Sequence, residues 1–172
     1  MPLAAATTKI SVEEYLRSSL RPDCDYVDGE LQERNVGAYD HSVVQFACLR
    51  WFWNHRHEWR IRATAETRMQ VTPERFRIPD VAVLSREQPI EQILTHPPLV
   101  CIEVLSPEDT LHRLRERLED YRQFGVGQTW LVDPATQGGY EYRAGGFMAA
   151  QEFAVPGTPI RLSLVELFAE LD

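Results

Sequence analysis

Apolar residues along this chain recur in two rhythms, and each change of rhythm marks a change of element. Ser11-Val12-Glu13-Glu14 is a capping box, which predicts a short helix running to about Leu20, ended by Arg21-Pro22. In Asp25-Tyr26-Val27-Asp28-Gly29-Glu30-Leu31 an Asp-Gly pair separates two short extended pieces, the signature of a hairpin whose turn needs positive φ. Val43, Val44, Ala47, Cys48, Trp51 and Phe52 then fall at helical spacing, with Asp40 placed as N-cap, so a helix is expected over residues 40 to 57.

Residues 60 to 71 and 79 to 85 read as strands, and residues 98 to 105 form a continuous apolar run of the kind buried on both faces. Ser106-Pro107-Glu108-Asp109 reads as a helix start, and Leu111, Leu114, Leu118 and Tyr121 mark that helix's buried stripe. Gly125 and Gly127 close it, Thr129 to Pro134 forms another core strand, and a hairpin turning at Gly145-Gly146 precedes a terminal helix over residues 164 to 171. This order predicts an α/β domain with a sheet covered on both faces.

Two acids break the apolar pattern. Asp80 opens the run Val81-Ala82-Val83-Leu84, and Glu103 interrupts Leu99-Val100-Cys101-Ile102 and Val104-Leu105. An ionised carboxylate is almost never fully buried unless paired or bound to a cation, because its desolvation costs several kcal/mol. Twenty-three residues separate the two, enough for a strand, a short crossover near Ile90 to Leu94, and a return that sets them side by side. Mg²⁺ needs only one or two protein carboxylates beside water and phosphate oxygens, so the pair is a sufficient minimal metal site. Pairing of Glu103 with an arginine, and Asp80 as a mere strand start, would account for the same residues.

Composition narrows the classes. At 172 residues with ordinary apolar content the chain suits one domain, residues 1–172, burying roughly 70% of the surface its unfolded form exposes. Its longest apolar runs are far short of the ~20 residues that span a bilayer, and Met1 to Thr8 lacks the make-up of a secretion signal. Cys24, Cys48 and Cys101 are odd in number with no CxxC spacing, which indicates reduced thiols and a cytoplasmic setting. There is no P-loop, GxSxG elbow or paired-histidine metal motif.

A net charge of −8 excludes nonspecific coating of nucleic acid, so any such contact must be local. Arg50, Arg56, Arg60, Arg62, Arg68, Arg75 and Arg77 cluster within 28 residues and supply either a local contact surface or a solvated mixed-charge face. Of the 18 basic residues only Lys9 is a lysine.

Taken in order, Asp25 to Leu31, His41, Pro79-Asp80, Ile102 to Pro107, Tyr121, Gly125-Val126 and Trp130 to Pro134 closely resemble the Uma-two family of putative restriction endonucleases, in the PD-(D/E)XK superfamily. The resemblance implies a restriction-endonuclease-like core, a central mixed β-sheet flanked by helices, that binds Mg²⁺ or Mn²⁺ and hydrolyses phosphodiester bonds in DNA. It assigns Asp80 and Glu103 to the metal. Asp25 stands where the family carries a glutamate, and would complete the metal site or cap the hairpin. His41 matches a family histidine that would contact phosphate or Asp25, or serve only as a helix-capping or packing residue.

The departure is the lysine. Two residues after the second acid, where the superfamily carries it, stands Leu105; on the following helix, four residues before the tyrosine, where Uma-two proteins carry it, stands Arg117. Helical spacing lets Arg117 reach back toward Asp80 and Glu103. An arginine cannot take a proton from water, but it can stabilise charge developing on phosphate. The site is then a nuclease centre with arginine in place of lysine, or a degenerate scaffold that binds nucleic acid or a protein. Cutting both strands of a duplex favours a homodimer, and no segment marks its interface.

Overall fold

The structure, a computed structural model, describes residues 8–35 and 37–171. Helix α1 (Val12–Arg17) leads into strands β1 (Cys24–Val27) and β2 (Glu30–Glu33), then the long helix α2 (Tyr39–His55). Strands β3 (Ile61–Ala65), β4 (Met69–Thr72), β5 (Arg75–Arg77), β6 (Val81–Ser85) and β7 (Val100–Val104) follow, then helix α3 (Leu111–Phe124). The chain ends with β8 (Gln128–Asp133), β9 (Gly138–Arg143), β10 (Gly146–Ala150), β11 (Glu152–Ala154), β12 (Arg161–Ser163) and α4 (Leu164–Ala169).

A six-stranded mixed sheet in the order β10-β9-β8-β7-β6-β3 forms the centre. Only β7 and β8 run parallel, and α3 is the crossover between them. Side chains alternate across this sheet. Val81, Val83, Val100, Ile102, Trp130 and Val132 pack with α2 and α4, whereas Ala82, Leu84, Cys101 and Leu131 pack with Leu114, Leu118 and Tyr121 of α3. Both faces are thus covered, as the apolar runs required.

A four-stranded antiparallel sheet, β2-β1-β5-β4, sends Met69 and Val71 into the α3 side of the core. Tyr15 of α1 stacks on Tyr26 of β1 with ring centroids 5.0 Å apart. The β1–β2 turn is the expected one, with Asp28 at φ 52° and Gly29 at φ 97°.

Several expectations are corrected. The run over residues 60 to 71 is two strands in different sheets: β3 pairs with β6 and β4 with β5, and the chain changes sheet after Glu66, whose φ is 52°. Helix α1 stops at Arg17, where the Ser18 hydroxyl donates to the Tyr15 carbonyl at 2.6 Å. Helix α2 begins at Tyr39 after Ala38, so Asp40 lies inside its first turn and is not the cap. The later hairpin turns at Ala144-Gly145, one residue earlier than expected, and β11 and β12 form an unforeseen pair.

Ser106 does not start α3. Asp109 Oδ2 accepts from the Ser106 amide at 2.8 Å and the Asp109 amide donates to the Ser106 carbonyl, which closes a turn. The helix begins five residues later, capped by Thr110, whose hydroxyl accepts from the Arg113 amide at 3.4 Å. This short non-helical stretch leaves an opening above the ends of β6 and β7.

Candidate active site

Strands β6 and β7 pair antiparallel with Val81 opposite Ile102, so the register carried one residue further faces Asp80 with Glu103. Alternation turns both acids toward the α3 face, together with Ala82, Leu84 and Cys101. They are 3% and 2% exposed, and both border one polar pocket with Arg34, His41, Ser106 and Arg117.

Each carboxylate is held by named donors. Asp80 Oδ1 accepts from Arg34 Nη2 at 2.7 Å, while Oδ2 accepts from the Val104 amide at 2.8 Å and lies 3.2 Å from His41 Nε2. Glu103 Oε1 accepts from the Tyr121 hydroxyl at 2.5 Å and Oε2 from Arg117 Nη1 at 2.9 Å. Arg117 sits on α3 one turn before Tyr121, so both reach back over β7 from the same helical face.

Asp25 lies one layer deeper, on β1. Its Oδ1 accepts from the Ile78 amide and its Oδ2 from Arg77 Nη1, both at 3.1 Å, and Arg117 Nε lies 3.5 Å from Oδ2. Arg77 is itself fully buried and clasps Asp120 at 2.7 Å and Gln32 at 3.0 Å. A continuous charged chain therefore runs Asp120, Arg77, Asp25, Arg117, Glu103.

Of the five residues singled out by sequence, Asp25, Glu103 and Arg117 lie on this chain, while His41 and Asp80 form a second cluster with Arg34; the two clusters meet at the polar pocket. His41 touches Asp80 and not Asp25, because the first turn of α2 lies over the end of β6. Asp25 is held by two arginines and a backbone amide and does not border the polar pocket. Sequence reasoning missed Arg34 and the role of Tyr121 as a donor; the separation of 46 residues between Arg34 and Asp80 leaves no local signal for the former.

Burial pushes the Asp80 carboxyl up, but the His41 hydrogen bond, the Arg34 charge and the Val104 amide outweigh it and hold the group below its ordinary value. Glu103 goes the other way: burial, with the nearby Asp80 charge, outweighs Arg117 and raises it to about 7. The bond to Asp80 raises His41 against the effect of its own burial. Neighbouring acids driven apart in proton affinity occur at functional sites and within buried ion-pair networks alike.

Among the described residues, no group of three or more histidine, cysteine or acidic side chains is arranged to hold a metal. A two-carboxylate site remains chemically adequate, since a carboxylate has about four lone-pair positions. Asp80 uses three, two of them at Oδ2, and Glu103 uses two, so Asp80 Oδ1 and either Glu103 oxygen retain room for a hard cation. Two buried nitrogens at the site, His41 Nδ1 and Arg117 Nε, have no hydrogen-bond partner among the described residues.

The arginine cluster is largely spent on internal pairing. Arg68 grips Asp23 and Arg75 grips Asp28 and Asp120, while Arg50 pairs with Glu170 and Arg60 with Glu87. Arg62 donates to the carbonyls of Arg86 and Gln88, and Arg56 lies over the Trp53 ring. No helix of the described residues is long and apolar enough to cross a membrane.

Comparisons with known proteins agree with this architecture. The crystal structure of a putative nuclease belonging to DUF820 from Anabaena variabilis superposes with a TM-score of 0.79, covering 95% of this chain and 99% of that one at 22% identity, which shows a shared fold. An uncharacterized protein of Synechocystis, slr1290, is 32% identical over 139 residues, 77% of this chain and 73% of that protein. The Uma2 family, described as "Putative restriction endonuclease", matches residues 12–171, and the chain belongs to that family.

Proposed function

We propose that this chain is a divalent-metal-dependent endonuclease that hydrolyses phosphodiester bonds in DNA, that Asp80 and Glu103 hold Mg²⁺ or Mn²⁺, and that the chain acts as one domain. The observation that carries this reading is the pair itself: two buried carboxylates on neighbouring strands, face to face at the floor of an open polar pocket, each with unused lone pairs. Family membership supplies the reaction class, and DNA as the substrate rests on it.

A divalent cation between these acids would polarise the phosphate and lower the pKa of a bound water. The protein's own residues do the rest. Arg117, fixed by Glu103 and steered by Asp25, directs positive charge at the position where a phosphate oxygen would gain negative charge. Because it keeps its proton, it stabilises charge and does not act as base. His41 and the Val104 amide fix the orientation of Asp80.

The competing reading, a degenerate scaffold binding nucleic acid or protein, draws on the same arginines, which already balance both acids. Loss of stability in Asp80→Asn does not separate the two, since Arg34 and His41 lose their partner in either case. Cleavage does. Supercoiled plasmid incubated with the protein and Mg²⁺ or Mn²⁺ should be nicked, and a folded Asp80→Asn or Glu103→Gln variant should leave it intact. No nicking by the parent protein in either metal, or undiminished nicking by both variants, would overturn the assignment.

A further inference from the structure

Asp80 Oδ1, the less occupied of that acid's two oxygens, is covered by Arg34. This residue lies just past β2, its side chain is 12% exposed, and Nη2 donates to Oδ1 at 2.7 Å. Its charge also acts on Glu103, so it sits within the field of both acids. A guanidinium at full hydrogen-bonding distance and a dication on the same oxygen repel each other at close range in a site of low dielectric. The two therefore compete for that oxygen.

Arg34 has somewhere to go. Its Nη1 lies 3.8 Å from Glu66 Oε1, and Glu66 is an exposed acid at the edge of the cleft. Gln45 steadies that carboxylate at 3.3 Å and donates to the Asp80 carbonyl at 3.0 Å. A modest swing therefore exchanges a buried acid for a solvated one without stranding the charge.

We propose that Arg34 is a resident counter-cation, neutralising Asp80 while the site holds no metal and yielding Oδ1 to a divalent cation by turning to Glu66. The inference rests on the reading that Asp80 and Glu103 hold such a cation, and adds that the protein's own arginine sets how tightly. A bound cation must then overcome the Arg34–Asp80 pair, so that metal occupancy demands a higher free concentration than the two carboxylates alone would require.

The test is calorimetric titration of Mn²⁺ into the full chain and into Arg34→Gln, with folding checked by circular dichroism. Arg34→Gln should bind Mn²⁺ roughly tenfold more tightly, and Arg34→Gln/Asp80→Asn should lose that binding. Glu66→Gln should weaken binding in the parent protein yet have little effect in Arg34→Gln, because the refuge matters only when the arginine needs it. Should Arg34→Gln fail to fold, Arg34→Met, which keeps the buried stem, carries the same test.

Asp80-dependent binding that is unchanged or weaker in Arg34→Gln would overturn the role of Arg34 and leave the metal site standing. Absence of Asp80-dependent binding in both proteins, even at millimolar Mn²⁺, would overturn the metal site and the arginine's role with it.

Discussion

Arg117 of the crossover helix and Glu103 of the strand beneath it are joined by a 2.9 Å bond from Nη1 to Oε2. The cation thus stands on the second acid, as a catalytic lysine would, although no lysine follows that acid in sequence. An arginine there offers charge and two directions of hydrogen bonding, but it does not release a proton.

Arg117→Lys is accordingly expected to speed cleavage, by roughly tenfold or more, since a buried lysine can exchange its proton near neutrality. Single-turnover nicking of supercoiled plasmid in Mg²⁺ measures it. A rate equal to or below that of the parent protein would mean that the arginine fork itself, spanning Glu103 and Asp25, is what the site uses.

Arg77 is the buried hinge of the charged chain, bound to Asp25, Asp120 and Gln32 at once. Arg77→Met should cost about 3–5 kcal/mol in urea unfolding, because two buried carboxylates lose the cation they share. A loss under about 1 kcal/mol would show that Arg75, which also reaches Asp120 at 3.0 Å, and Arg117, 3.5 Å from Asp25, neutralise the two acids without it.

In the metal-free protein Glu103 should make stability fall as pH rises from its ordinary value of 4.5 toward about 7. The folded state binds the proton more tightly than the unfolded state across that window, so folding is favoured on its acid side. Asp80 works in the opposite sense and in a lower window: its carboxyl is held below the ordinary value of 3.8, so its contribution is present above that value and lost as pH falls through the lower, folded one. Urea midpoints measured across this range, with Glu103→Gln as control, should show the neutral-side decline in the parent protein and a flatter curve in the variant.

Gly139 on β9 is a packing requirement. A Cβ there would run into the Leu131 carbonyl oxygen and meet the Phe153 ring at 2.8 Å. Gly139→Ala should therefore destabilise by about 1–3 kcal/mol, read as a lowered thermal midpoint. An unchanged midpoint would mean that β8 and β9 separate without penalty.

Much of the site is visible in the sequence because it lies on regular elements. Two acids interrupting strand-like apolar runs must take positions set by alternation, and Arg117 and Tyr121, four residues apart on a helix, must share a face. What escapes is held by irregular chain. Arg34 approaches Asp80 from the stretch after β2, and Asp109 folds back on Ser106 to delay α3, contacts with no period to betray them. The division of residues 60 to 71 between two sheets was hidden for a related reason, since both halves carry the same apolar rhythm and only the left-handed Glu66 separates them.

Placing the cation on α3, and not on β7, relieves the strand of a conflict. Leu105 remains apolar, packs into the core beneath α3, and its amide still donates to the Val132 carbonyl at 2.8 Å. Arg117 can then change identity without disturbing a single ladder bond of the central sheet. The position of the cation is thereby uncoupled from the backbone pairing of β7, so a lysine could replace the arginine there and still balance Glu103 without any strand residue changing.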